Sequence, residues 1–171
     1  LIGGITAVMA AAIAFVQHDL KKVLAYSTMS QLAYIFTGLG CAMFLANTLD
    51  WHNDDGAHYI VIVAFGAALF HLFNHAMAKG MLFMASGSVI HEVHHAHHHL
   101  HHHDHHDDDH HGHDDHHEDE FDAQSMENMG GLASKMPLTA TAMLVGSASI
   151  MGLPFIGGFW SKEGIIANAW R

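Results

Sequence analysis

His71, His75 and Lys79 stand at spacing i, i+4, i+8 inside an otherwise apolar stretch. On a helix, successive members are about 40° apart and about 6 Å along the axis, so all three share one stripe. An ionisable group in a bilayer interior is expensive, and such groups face protein or water and mark ion or proton paths. Imidazole titrates near neutral pH and can hand a proton on, and a lysine held away from water can alternate between its charged and neutral forms. Three plainer readings compete: hydrogen-bonded core histidines, a lysine snorkelling to the surface, and a metal-binding histidine pair. Snorkelling fits poorly, because apolar helix flanks Lys79 on both sides, and the stripe offers no third metal ligand. A proton path is the preferred reading.

A second group follows a helix breaker, in Met151-Gly152-Leu153-Pro154-Phe155-Ile156-Gly157-Gly158-Phe159-Trp160-Ser161-Lys162-Glu163. Pro154 lacks an N–H and disfavours helix at the residue before it. A helix broken at membrane depth is tolerated only where protein or a water-filled cavity meets the freed backbone groups, and discontinuous helices mark ion sites in many transporters. Lys162 and Glu163 are therefore candidate proton carriers, set against an ordinary helix end with Lys162 at the surface. A third run, Asp19 to Gln31, offers an N-terminal cap at Asp19. Its Ser27, Thr28, Ser30 and Gln31 read as packing between helices, with little chemistry.

The elements that must position these residues are membrane spans. The chain is 50% apolar and 13% charged, where soluble domains carry roughly 25% charge. Residues 91–122 hold sixteen of the 21 His and eleven of the 17 acids, with no Lys or Arg. The whole formal charge of −11 belongs to that tract, and the remainder is balanced. The single Cys41 excludes a disulfide framework and reads as a buried, inert thiol. The chain opens on Leu1 and ends at Trp170-Arg171 in helix-like sequence, so it is expected to be an internal fragment of a longer protein.

A helical span needs about 20 mostly apolar residues. Four stretches approach this: 1–16, 23–49, 57–90, and 138–160, the last interrupted at Gly152-Leu153-Pro154. Residues 1–16, 57–70 and 138–151 lack the polar face of a soluble amphipathic helix. The predicted fold is an all-α polytopic transmembrane bundle. The 57–90 stretch is about 50 Å long as a helix, against a core of about 30 Å; one protruding helix is preferred, with Gly80 a possible local distortion. If 57–90 crosses once, the loops at 17–22 and 91–136 lie on one side, and Lys21, Lys22 and Lys135 make that side the cytoplasm under the positive-inside rule.

The expected division is 1–90 for three helices, 91–128 for a His/Asp-rich cytoplasmic loop, and 129–171 for a broken helix. The loop's composition cannot build an apolar core, so disorder is its default. Its imidazoles and carboxylates suit zinc, nickel or copper. A metal site within His94–His117 is a weak possibility, beside proton buffering or a loop of no specific role.

Three segments resemble a known family: Asp19 to Gln31; Phe70-His71-Leu72-Phe73-Asn74-His75-Ala76-Met77-Ala78-Lys79 running on to Gly87-Ser88-Val89-Ile90-His91; and Met129-Gly130-Gly131-Leu132 through Met136-Pro137 to Gly158-Phe159-Trp160-Ser161-Lys162-Glu163. The chain is identified through them as similar to the antiporter-like subunits L (chain 5) of proton-pumping NADH:quinone oxidoreductase, respiratory complex I. The resemblance implies four segments of the second inverted repeat of a large helical core. It gives Lys79 the role of central lysine, His71 and His75 that of relay histidines, and Lys162 that of the lysine beyond the break, near proton release. It implies proton translocation coupled to electron transfer from NADH to quinone. This subunit would hold no cofactor, with NADH, FMN, iron–sulfur clusters and quinone bound by other subunits.

The implied partners are those membrane subunits and the lipid bilayer, with no nucleic acid, and the expected location is a bacterial inner membrane. Ala78 departs from the bulky aromatic usual before the lysine, which would loosen packing there, and the His tract lengthens a loop that is usually short. Two other readings stay open: the large subunit of an Mrp-type sodium/proton antiporter, and a membrane-anchored metal-binding protein.

Overall fold

The computed structural model describes residues 1–49, 53, 55–103 and 121–170, the last few of the helical tract (100–103) by backbone alone. These residues form α1 (Ile2–Phe15), α2 (Leu20–Thr48), α3 (Asp55–His103), a 3-10 turn (Met126–Asn128), α4 (Leu132–Lys135), α5 (Pro137–Met151) and α6 (Gly157–Ala169). α3 is the axis: α2 packs on one side, α5 and α6 on the other, and α1 lies against α2. The helices approach closely because the buried positions are small. Ala64, Ala68, Ala78 and Ala85 line the inner face of α3, and a methyl group added at Gly146 of α5 would sit 2.8 Å from Leu82. Small residues at the crossings are what helix packing in lipid favours.

α2 and the apolar part of α3 are each long and apolar enough to cross a membrane; α1 and α5 are apolar but shorter. Large apolar side chains face outward, among them Val8, Phe36, Met43, Phe73, Met84 and Leu144, an outer surface suited to lipid or neighbouring subunits rather than water. The fold is an all-α membrane helix bundle.

α2 starts at Leu20 because Asp19 caps it: its Oδ1 accepts from the Lys21 N–H at 2.9 Å and the Lys22 N–H at 3.3 Å, two of the amides a helix start leaves unpaired. Asp19 also forms an antiparallel bridge with Ser125. Leu20 N–H donates to Gln124 O at 3.0 Å, and Met126 N–H to His18 O at 2.9 Å. The loop before α2 and the segment after the His tract therefore share one side of the bundle, as a single crossing by residues 57–90 requires.

Two expectations are corrected. α3 does not end near residue 90; it continues to His103, about 74 Å in all at 1.5 Å per residue. The chain through 91–103 contains no Gly or Pro, and extending an existing helix needs only one hydrogen bond per residue fixed, without a new nucleus or an apolar core. A disordered loop from 91 onward is thus wrong for 91–103, and residues 104–120 lie outside the described residues. Gly80 distorts nothing, for α3 is regular helix through it.

The expected break is present. α5 ends at Gly152, in the left-handed region at φ 87°, and Gly152 N–H and Leu153 N–H both return to Ala148 O, at 3.1 and 3.2 Å. Glycine closes helices this way because it has no Cβ to clash. Five residues later, at Gly157, α6 begins, folded back so closely that a Cβ at Gly158 would run into the Ser149 carbonyl.

Candidate functional site

His71, His75 and Lys79 point from α3 into the bundle and are 3%, 6% and 5% exposed. The predicted stripe is an interior one, and the snorkelling alternative for Lys79 is excluded. Lys79 Nζ donates to Leu24 O of α2 at 3.0 Å and to the Ser27 hydroxyl. Among the described residues Lys22 pairs with Asp19, whereas Lys79 is held by neutral oxygens. A buried ammonium is costly unless hydrogen-bonded, and dipoles meet that cost without pinning the proton as a carboxylate would.

His71 sits between three helices. Its Nδ1 lies 2.9 Å from Ser161 Oγ on α6 and its Nε2 3.1 Å from Gln31 Oε1 on α2. The Tyr34 ring meets it edge-on, centroids 5.4 Å apart. Ser161 donates its own proton to Gly158 O at 3.1 Å. With that proton committed, its oxygen accepts from His71 Nδ1–H. In the neutral ring Nε2 then wants a donor, and in the cation it is one. Gln31 carries both an amide NH₂ and a carbonyl, so a half-turn of its side chain serves His71 in either charge state.

His75 lies one turn on, ring centroids 6.5 Å from His71. Its Nε2 is buried without a hydrogen-bond partner among the described residues. It borders a cavity of about 10 Å³ shared by Gln31, His71, Asn74, Ala78, Ser149, Ile150 and Gly158. That is roughly the space one water requires, and several polar groups surround it. The small Ala78 side chain helps leave this space open.

Lys162 comes from α6, with its Nζ turned back to Ile150 O in the last turn of α5. The free carbonyls at a helix C-terminus favour a cation. Its own carbonyl accepts from Tyr34 OH at 3.1 Å, and Asn74 Nδ2 donates to Gly157 O at 3.3 Å, so α2 and α3 both grip the start of α6. The reading of Lys162 as a plain surface residue fails.

Glu163 is not brought into this group. It stands on the exposed face of α6 with Trp160 and Ile166, because adjacent helical residues point about 100° apart. Ser27 and Gln31, read from sequence as packing, touch Lys79 and His71 directly. Ser161 was missed; its place beside Lys162 on a buried helix was the available signal. No group of three His, Cys, Asp or Glu side chains converges as a metal site among the described residues, and the rest of the His94–His117 tract lies outside them.

Comparison with known proteins follows from the same residues. The family model for the transmembrane region of NADH:quinone oxidoreductases and Mrp antiporters matches residues 1–49 and 57–171. The chain is 38% identical over 169 residues to an NADH-ubiquinone oxidoreductase chain 5 of Acanthamoeba castellanii. It is 39% identical over 169 residues to a chloroplastic NAD(P)H-quinone oxidoreductase subunit 5 of Zygnema circumcarinatum, and 35% identical over 170 residues to a chain 5 of Allomyces macrogynus. Each alignment covers 99% of this chain but only 18–19% of the relative, so the chain spans about a fifth of their length. The chain belongs to the NADH:quinone oxidoreductase/Mrp antiporter transmembrane family.

Proposed function

We propose that this member of the family is a proton-carrying part of the membrane arm of an NADH:quinone oxidoreductase, working through Lys79, His75, His71 and Lys162. The observation that supports the reading is the gathering of four titratable groups inside the bundle, with His71 and His75 one turn apart at 6.5 Å. Lys79 rests on α2, His75 borders a water-sized cavity, and His71 bridges Gln31 and Ser161. Lys162 closes the series on the end of α5.

Each group can take up and release a proton with little movement. His71 needs only the Gln31 amide to turn. Lys79 and Lys162 exchange neutral oxygens for water, and no carboxylate is bonded to either among the described residues. Lys79, on the side of Leu24 and the Asp19 loop, is placed for uptake. Lys162, with its ammonium on the last turn of α5 at the helix break, is assigned to release.

The names of the relatives favour the quinone-reducing complex over an Mrp-type antiporter. In this proposal the redox reaction is an enzyme activity of the whole complex, and NADH, FMN, iron–sulfur clusters and quinone are assigned to other subunits rather than to this chain. Its partners would be other membrane subunits of that complex and lipid. We place it in a bacterial inner membrane with 17–22 and 91–136 cytoplasmic, the side their lysines favour.

The test is Lys79→Ala in the full-length subunit, assembled in its complex in sealed vesicles. Proton uptake per NADH oxidised should drop while NADH-dependent quinone reduction continues. Unchanged uptake would overturn the reading, and sodium-driven transport with no NADH-linked activity would favour the antiporter.

A further inference from the structure

Beyond the apolar stretch, α3 presents a second stripe. His91, His95 and His99 repeat the i, i+4, i+8 spacing on the exposed part of the helix. Their rings follow one another, with centroids 6.1 Å apart for His91–His95 and 4.5 Å for His95–His99. The neighbouring pair His94–His98 is at 6.3 Å. This end of α3 is tied down: the ring of Phe121, near the far end of the tract, stacks on His97 with centroids 3.9 Å apart and planes 7° apart.

Neutral imidazole favours Zn²⁺, Ni²⁺ and Cu²⁺ over harder cations, and two histidines one turn apart on a helix can share one ion. The short His95–His99 separation lets a nitrogen of each ring reach an ion at about 2.0–2.1 Å after small side-chain rotations. His71 and His75 cannot do the same, since the His71 nitrogens are committed to Ser161 and Gln31, and the adjoining cavity has space for about one water, too few to complete a coordination shell. At His95 and His99 solvent supplies them. Three protein donors do not converge among the described residues, and the proposed site uses two imidazole nitrogens.

We propose that His95 and His99 form an exposed two-histidine site for a divalent transition-metal cation on the extension of α3 beyond the membrane. It is independent of the proton path.

The test uses the full-length subunit in lipid nanodiscs, with residues 104–120 deleted and His101→Ala, His102→Ala and His103→Ala introduced, so that the far end of the tract cannot compete. Zn²⁺ affinity is measured by calorimetry, and Cu²⁺ coordination by electron paramagnetic resonance. The deletion protein should bind one Cu²⁺ with two-nitrogen coupling. On that background the double substitution His95→Ala, His99→Ala should weaken Zn²⁺ binding about tenfold or more, at least the loss an outer-shell ligand partner causes, while His94→Ala, His98→Ala should not. The pair His95→Gln, His99→Gln should behave as the alanine pair does. Equal affinity with and without His95 and His99, single-nitrogen coupling, or a loss caused instead by the 94/98 pair overturns the proposal.

Discussion

α3 carries the same arrangement twice. His71, His75 and Lys79 stand one turn apart in its middle, and His91, His95 and His99 one turn apart near its end. The first three are almost wholly buried and the second three are exposed. Spacing is therefore not what makes a proton path. In the buried stripe each group's partners are few and fixed, so a change of charge must be answered by a particular hydroxyl, amide or carbonyl. In the exposed stripe water answers any change, and the rings stay open to an ion from solution.

Removing a buried member should have the largest effect. Lys79→Ala should lower proton translocation through this subunit about a hundredfold, the low end of what a positioned proton donor contributes, whereas His99→Ala should leave it unchanged. Vesicle proton uptake on both variants checks the contrast, and equal losses would break it.

Burial itself can be attacked next. Gly158→Ala forces a methyl group onto the Ser149 carbonyl, and overpacking of this kind costs about 1–3 kcal/mol. The thermal midpoint of the detergent-solubilised subunit should fall. Proton translocation should fall too, as α6 and its Ser161 move off His71.

A smaller effect is expected at the hydrogen bonds. Ser161→Ala leaves His71 Nδ1 without its acceptor. Such a loss costs about 1–3 kcal/mol when the remaining group is buried, so transfer should slow while assembly persists. Ser161→Thr should restore much of the rate. A purely structural role would instead show as lost assembly with no recovery by threonine. The smallest effect is deletion of residues 104–120, where pumping should be unchanged within error and only metal uptake should differ.

Much of this was legible in the residues. The Asp19 cap, the break at Gly152 and Pro154, and the interior stripe on α3 depend on neighbours within a turn or two, and local geometry governs them. The length of α3 was misjudged because composition was weighed as though the His tract had to fold on its own; attached to an existing helix, its first residues simply extend it. Glu163 was grouped with Lys162 because they are adjacent in the chain, although adjacent helical residues face different ways. Ser27 and Gln31 were read as packing because nothing in their own segment shows that Lys79 and His71 arrive from 52 and 40 residues away.

Linear order alone settles which residues share a helical face, where a helix starts or breaks, and that the bundle belongs in lipid, because these follow from 3.6 residues per turn, local backbone limits and apolar length. Tertiary structure alone decides which face is buried and which group meets which. It brings Gln31, His71 and Ser161 from three helices to within 3.1 Å, turns Lys162 back onto α5, and leaves His95 and His99 in solvent. Burial and contact depend on where distant segments pack, and no property of a single segment contains that information.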